Sequence, residues 1–445
     1  MFVWACLGVL LLLPILAFAQ ADTNSPEADS NPVDVAPMHT PPPVSGAAYS
    51  TDFTTETQSN SLRVGVTFGT AYSSNVEGSP NPISDVSYSL WPTLAFYAST
   101  ARAHWDVSYA PGFTFYQHTS SLNQGDQNLT ADFQYRLTPH LTVSLRDSFQ
   151  KTSNPFNQPN PDSATSISGS SPPPNLGVIA PYADQVRNLA NVGITYQLSA
   201  DGMVGASGTF TNLHYPNPAE VPGLYDSSST GASIFYSRRF LSRYYVGASY
   251  QYQDVLAYQS GAEASTQTLT NTIFGFFTFY LSPTLSLSVS GGPQHSDTAQ
   301  PPLPVSQSWS PLLMGSLSWQ GKRTSLAASY ARVVTGGGGL VGSYHSNIAN
   351  LSGAWQLSRN WTVGLSASYS LYSTLTPLLP GANSGGKTVS ITASVQRPIG
   401  EHLALGAGFT RLQQSYPEVP TISAIPDTNR VFVSISYQLT RPLKR

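Results

Sequence analysis

Residues 361–373 read WTVGLSASYSLYS, and their alternation decides the fold class. Trp361, Val363, Leu365, Ala367, Tyr369 and Leu371 fall on one face of an extended chain. Thr362, Gly364, Ser366, Ser368 and Ser370 fall on the other. A side-chain period of two marks a β-strand. The pattern returns in HWDVSYAPGFTFY at 104–116 and in RVFVSISYQL at 430–439. Such runs last about ten to thirteen residues, against a mode of five or six for strands in general. A strand tilted across a bilayer needs about 9–11.

A recurring corner joins these runs. YRLTPHLTVSL begins at Tyr135, YQLSADGMVGA at Tyr196, YLSPTLSLSV at Tyr280 and WQLSRNWTVGL at Trp355. Each runs aromatic, Leu, a few turn residues, then alternation. Short corners fall near 99–102, 138–140, 199–202, 241–243, 282–284, 320–323, 358–360 and 398–401. Longer links lie between them at 74–84, 118–127, 152–185, 215–228, 256–267, 296–307, 335–344, 374–386 and 415–428. The alternation of short and long predicts an all-β, transmembrane antiparallel barrel over 61–440. Its strands number about eighteen, within sixteen to eighteen, with both termini periplasmic. A soluble propeller is the competing reading, but its repeat of about 40–50 residues is absent.

Composition agrees. Only 10% of the 445 residues are charged, against about 25% in ordinary soluble domains. Mean hydropathy is nevertheless slightly negative, which excludes a bundle of long apolar helices. The net charge of -3 carries no nucleic-acid footprint. Residues 1–19 read as a signal peptide, with an apolar core from Leu7 to Leu16 and Ala17, Phe18 and Ala19 as the cleavage site. Cys6 leaves with it, so the mature chain needs no disulfides. Residues 20–60, rich in Pro, Ser and Thr, read as a disordered periplasmic leader, and 441–445 as a short tail.

On these residues the chain resembles the outer-membrane porins and porin-like barrels of Gram-negative-type envelopes, over about 62–439. A looser similarity is to the porin-like barrels found with bacterial exopolysaccharide systems. The final strand is similar to the C-terminal signal read by the barrel-assembly machinery, although TRPLKR follows Tyr437, Gln438 and Leu439. The resemblance implies that the third long link, 152–185, folds inward to narrow a pore. Asp162 and Asp184 are its only acids. The resemblance also makes the outer membrane's lipid a partner, and the sequence admits homo-oligomerisation.

Two sets of side chains follow from the register. Trp105, Tyr135, Tyr196, Trp319, Trp355, Trp361 and Tyr437 are expected in a periplasmic aromatic girdle at the lipid–water interface. Arg63, Asp106, Asp132, Arg136, Arg146 and Arg239 are expected to line the pore. A hairpin pairing Leu137 with Leu141 would set Asp132 opposite Arg146. Otherwise the inward positions are Ser, Thr, Gly and Gln, for example Thr388, Ser390, Thr392, Ser394 and Gln396. Outward charges such as Arg238, Arg332 and Arg411 lie near strand ends, where snorkelling is tolerated.

The expected function is diffusion of small, mostly neutral hydrophilic solutes through a weakly charged lumen. Alternatives are export of a neutral exopolysaccharide and a structural or adhesive role. Neither catalysis nor a cofactor is expected. His295 and Ser296 are adjacent and so point to opposite faces, while His295 and Asp297 share one. No His cluster has metal-ligand spacing. GGGGLVG, 336–342, reads as a flexible outer loop rather than a phosphate cradle.

Overall fold

In the computed structural model the period-two runs form eighteen antiparallel strands. The structure describes residues 60–78, 81–154, 180, 183–220, 223–258, 265–282, 284–301, 303–336, 338–340, 343–375, 385–417 and 427–443. The signal peptide at 1–19, the leader up to 59 and Asp162 lie outside the described residues.

The first six strands are β1 (Ser61–Ser73), β2 (Asp85–Ser99), β3 (Ala103–Tyr116), β4 (Gln124–Arg136), β5 (Leu141–Thr152) and β6 (Gln185–Ser199). Next come β7 (Gly202–His214), β8 (Asp226–Phe240), β9 (Tyr244–Tyr258), β10 (Ser265–Ser282), β11 (Leu285–Gln300) and β12 (Leu303–Gln320). The last are β13 (Thr324–Thr335), β14 (Tyr344–Ser358), β15 (Trp361–Thr374), β16 (Gly385–Ile399), β17 (Leu403–Ser415) and β18 (Asp427–Pro442). Each pairs with its sequence neighbours, and β1 pairs with β18 from Ser61↔Pro442 to Ser73↔Arg430, which closes the ring. Closure removes the sheet edges that hydrocarbon cannot solvate. Both ends of the ring emerge beside the short turns. There the Asn60 carbonyl accepts from Leu443 N–H at 2.8 Å, and Asn60 Oδ1 accepts from Ser99 N–H at 2.7 Å.

The burial pattern says which face is apolar. In β1, Val64, Val66 and Phe68 are 48%, 40% and 51% exposed, whereas Thr67 and Ala71 are nearly covered. The same register holds in β18, where Val431, Val433, Ile435 and Tyr437 are all exposed. A soluble sheet protein would show the reverse. The ring turns its apolar side chains outward and its polar ones inward.

One link departs from the sequence expectation. Residues 296–307 are not a long loop: β11 and β12 run on to Gln300 and Leu303 and form an extended hairpin. Pro293, Pro304 and Pro311 mimic a loop in sequence but occupy strand positions. Pro293 and Pro311 face each other across the hairpin. Neither can donate a backbone hydrogen bond. Their other sides are accordingly where ladders lapse. The β10–β11 pairing skips Ile273 and Phe274, and the β12–β13 pairing ends at Leu313↔Arg332. Likewise the β2–β3 pairing lapses between Leu90↔Phe113 and Leu94↔Tyr109, around Pro92 and Pro111. The expected tail also shifts, since β18 continues to Pro442.

Candidate functional site

The lumen has two regions, a charged wall near the short turns and a packed mouth near the long links. In the wall, the hairpin that pairs Leu137 with Leu141 forms, with Leu137 N–H donating to the Leu141 carbonyl at 2.9 Å. Asp132 therefore sits opposite Arg146 in the β4–β5 ladder. Arg146 Nε donates to Asp132 Oδ2 at 2.8 Å. Asp106 is opposite Asp132 on the other side, across the β3–β4 ladder. One rung thus runs acid, acid, base, and Arg146 is 67% exposed to the lumen.

The other charges expected in the pore divide. Arg63 lies on the inward register of β1, opposite Ala95 and Thr440. Arg136 is exposed at the end of β4, its amide bonded to the Arg102 carbonyl at 2.7 Å. Arg239 is committed to the β6–β7 turn, donating to Asp201 Oδ1 at 3.0 Å and to the Ala200 carbonyl at 3.1 Å. Asp184 ties the base of the third link, accepting from Lys151 at 2.7 Å and from Ser153 at 2.8 Å.

The neutral wall is stitched to itself. Hydroxyls meet across strands at Thr268 with Thr298 (3.0 Å), Thr278 with Ser288 (2.8 Å) and Thr392 with Thr410 (3.1 Å), all buried. Cross-strand pairs of this kind stabilise a sheet. They leave less hydrogen-bonding capacity facing the lumen than composition alone suggests.

Several lumen features were not foreseen from sequence. Met203 and Tyr245 are buried on the inward register with Phe235 and Tyr280 packed against them, an apolar patch among polar neighbours. Trp91, 1% exposed, lies over Gly112, where an added Cβ would come within 2.3–2.5 Å of its ring. The indole thus backs the proline-interrupted β2–β3 seam from inside.

The mouth is the larger surprise. Tyr215, Tyr344, Tyr372 and Tyr416 are buried together with Leu213, Leu224 and Leu340. They come from the two sides of the ring, β7–β8 on one and β13–β17 on the other. Ala180 and Ala183, near the end of the third long link, join them. The Tyr416 hydroxyl meets that of Thr388 at 2.6 Å, and burial pushes the Tyr416 phenol up. The glycine run is part of this packing rather than a free loop. A Cβ on Gly336 would stand 3.0 Å from Val255 Cγ1, and one on Gly339 2.5 Å from Tyr215 Oη. Gly339 also has φ +108°, a conformation that favours glycine, and its carbonyl accepts from Tyr225 N–H at 2.8 Å. Three strands separate β9 from β13, so this segment crosses part of the lumen as a chord. Near the β1–β18 closure, Ser73, Asn75, Tyr116, Gln414 and Arg430 line a cavity of ≈ 20 Å³, room for one water.

Outside the ring, the residues expected in the girdle lie on the outward register close to the short turns. Trp355 and Trp361 are 56% and 41% exposed, and Arg397 lies 5.2 Å over the Trp361 ring. Trp105 packs on Phe133 with centroids 4.0 Å apart. His295 and Asp297 share the outward face, 3.7 Å apart, with the ring of Trp309 beside His295. Ser296 points the other way and is fully buried. Among the described residues no group of His, Cys, Asp and Glu could hold a metal ion.

No protein family matches the chain, and no curated relative does. Among solved structures it is similar to Pseudomonas aeruginosa OpdO, at 10% identity over 86% of this chain and 97% of that one, TM-score 0.41. It is also similar to the FrpB iron transporter from Neisseria meningitidis, at 9% over 86% and 83%, TM-score 0.40. A third is the ferric citrate transporter FecA in its unliganded form, at 9% over 84% and 78%, TM-score 0.39. These likenesses assign neither cargo nor mechanism to this chain.

Proposed function

We propose that the protein is a porin-like outer-membrane channel that passes small, mostly neutral hydrophilic solutes by diffusion. The observation that carries this reading is the inverted ring: apolar side chains exposed outward on every second position, polar ones enclosed within. Such a ring is at home only where hydrocarbon surrounds it. A cleaved signal peptide, 1–19, delivers it across the inner membrane. The 20–60 leader and both barrel ends then stay periplasmic, and the assembly machinery inserts the ring. No step of this role calls for catalysis or a cofactor. Neutral cargo fits a lumen whose charges are few and in part paired, Asp132 with Arg146 and Asp201 with Arg239.

The packed mouth favours a second reading, a gated conduit for export of a neutral exopolysaccharide. Single-channel conductance of residues 20–445 in a planar bilayer separates the two. Steady openings without added partner support diffusion. A barrel that inserts but conducts only once residues 155–179 are removed supports a gate. A barrel silent in both forms removes transport altogether and leaves a structural or adhesive surface role.

A further inference from the structure

Among the described outward arginines, Arg332 has an enclosed nitrogen that the ring does not satisfy. Arg332 is on β13, in register with Leu313 on one side and Asn347 on the other. Its Nε is enclosed and has no hydrogen-bond partner. Three other outward arginines are provided for: Arg411 pairs with Asp427, Arg238 lies over Phe240 and Arg397 over Trp361. Asp297, an outward carboxylate on β11, pairs instead with His295. Around Arg332 stand an amide, Asn347, and a histidine, His345, which is in register with Val334. Tyr330 Oη donates to Asn347 Oδ1 at 3.0 Å, which leaves the amide N–H₂ of Asn347 free of that contact. The locus is basic and donor-rich, with no acid of the chain paired to it among the described residues.

Its setting is equally specific. The β12–β13 ladder stops at Leu313↔Arg332, next to Pro311, which has no N–H, so Val333 to Thr335 at the end of β13 have no partner on β12. Arg332 therefore stands at the foot of a notch in the outward wall. It is eight residues from the start of β13 at Thr324, about 19 Å up a strand that rises ~3.3 Å per residue at ~45°. The apolar band of such a barrel is about 25 Å tall, so the guanidinium reaches toward the headgroup level on the long-link side. Beside it Leu313 and below it Tyr330 present apolar surface, and farther up β12 Trp309 is 72% exposed.

We propose that Arg332, with Asn347 and His345, binds the phosphate of an anionic lipid whose chains lie against Leu313 and Tyr330. The guanidinium fork suits two phosphate oxygens at once, and at this depth outside the ring the available anions are lipid headgroups. The inference rests on the membrane reading above. The test is native mass spectrometry of the refolded chain, residues 20–445, titrated in detergent with phosphatidic acid. Wild type is expected to hold one lipid that Arg332→Gln binds about tenfold more weakly or worse. Arg332→Lys should recover part of the loss, and Arg238→Gln should bind as wild type does. Excess inorganic phosphate should leave the lipid bound. Equal binding by wild type and Arg332→Gln would overturn the site, and full displacement by inorganic phosphate would make it a site for free anions instead. Insertion into lipid vesicles, followed for each variant, keeps this outcome separate from failure of the membrane reading: a chain that does not insert at all refutes that reading first.

Discussion

Arg146 and Asp132 meet in a solvent-filled lumen, where water screens the attraction between them. With the pair so exposed, its contribution to stability is at most ~1 kcal/mol. Arg146→Gln should therefore barely move the unfolding midpoint in urea. Its effect on charge should be plain, because Asp132 would lose its paired counter-charge while facing Asp106 across the β3–β4 ladder. The reversal potential under a KCl gradient should shift toward cation selectivity, and Asp132→Asn should shift it the other way. At Gly112 the expectation is inverted. Gly112→Ala presses a methyl into the Trp91 ring and should cost ~1–3 kcal/mol in denaturant with little change in selectivity. The same acid–base pair was legible in the sequence. A proline corner at Pro139 fixes the hairpin register, and the register places acid opposite base. Arg239 shows the limit of that reasoning. Its inward position is legible, but its capture by Asp201 depends on how an adjacent turn stands, which alternation does not encode.

At the scale of the strand, what was legible is what period two encodes: strand existence, register and the ring of short turns. Proline is where that reading fails. Pro293, Pro304 and Pro311 look like breakers, so the top of the β11–β12 hairpin resembled a loop. They are tolerated because a proline in a strand costs only the bond its own N–H would make, and the facing ladders lapse there. Pro92 and Pro111 face each other inside one such lapse, so their double replacement tests the account. Pro92→Val with Pro111→Val should restore up to two ladder bonds at ~0.5–1.5 kcal/mol each. The measurement is the temperature at which the refolded barrel unfolds in SDS, which should rise. A fall would mean that the lapse is set by Trp91 packing rather than by the missing donors.

For the molecule as a whole, closure and the outward apolar face were legible, and the mouth was not. Tyr344 and Tyr372 obey the same alternation as wall residues, so nothing local distinguishes a side chain facing open lumen from one that meets links arriving from across the ring. The glycine run likewise looked mobile because composition records what glycine permits, not what it touches. In the channel we propose, size and charge are assigned to two separate places that a sequence merges: the packed mouth for size, and the Asp106, Asp132 and Arg146 rung for charge preference. Tyr372→Ala removes a wholly buried ring and should loosen the mouth at a cost of ~3–5 kcal/mol, by analogy with large aromatic deletions in cores. In a liposome-swelling assay the variant should admit a neutral disaccharide faster than wild type. The ratio of rates for neutral and charged solutes of equal size should stay the same, because the rung is untouched. A changed ratio would mean that the mouth also selects by charge, through Arg187 on the inward face beside Tyr215 and Tyr372, and that size and charge are governed at one place rather than two.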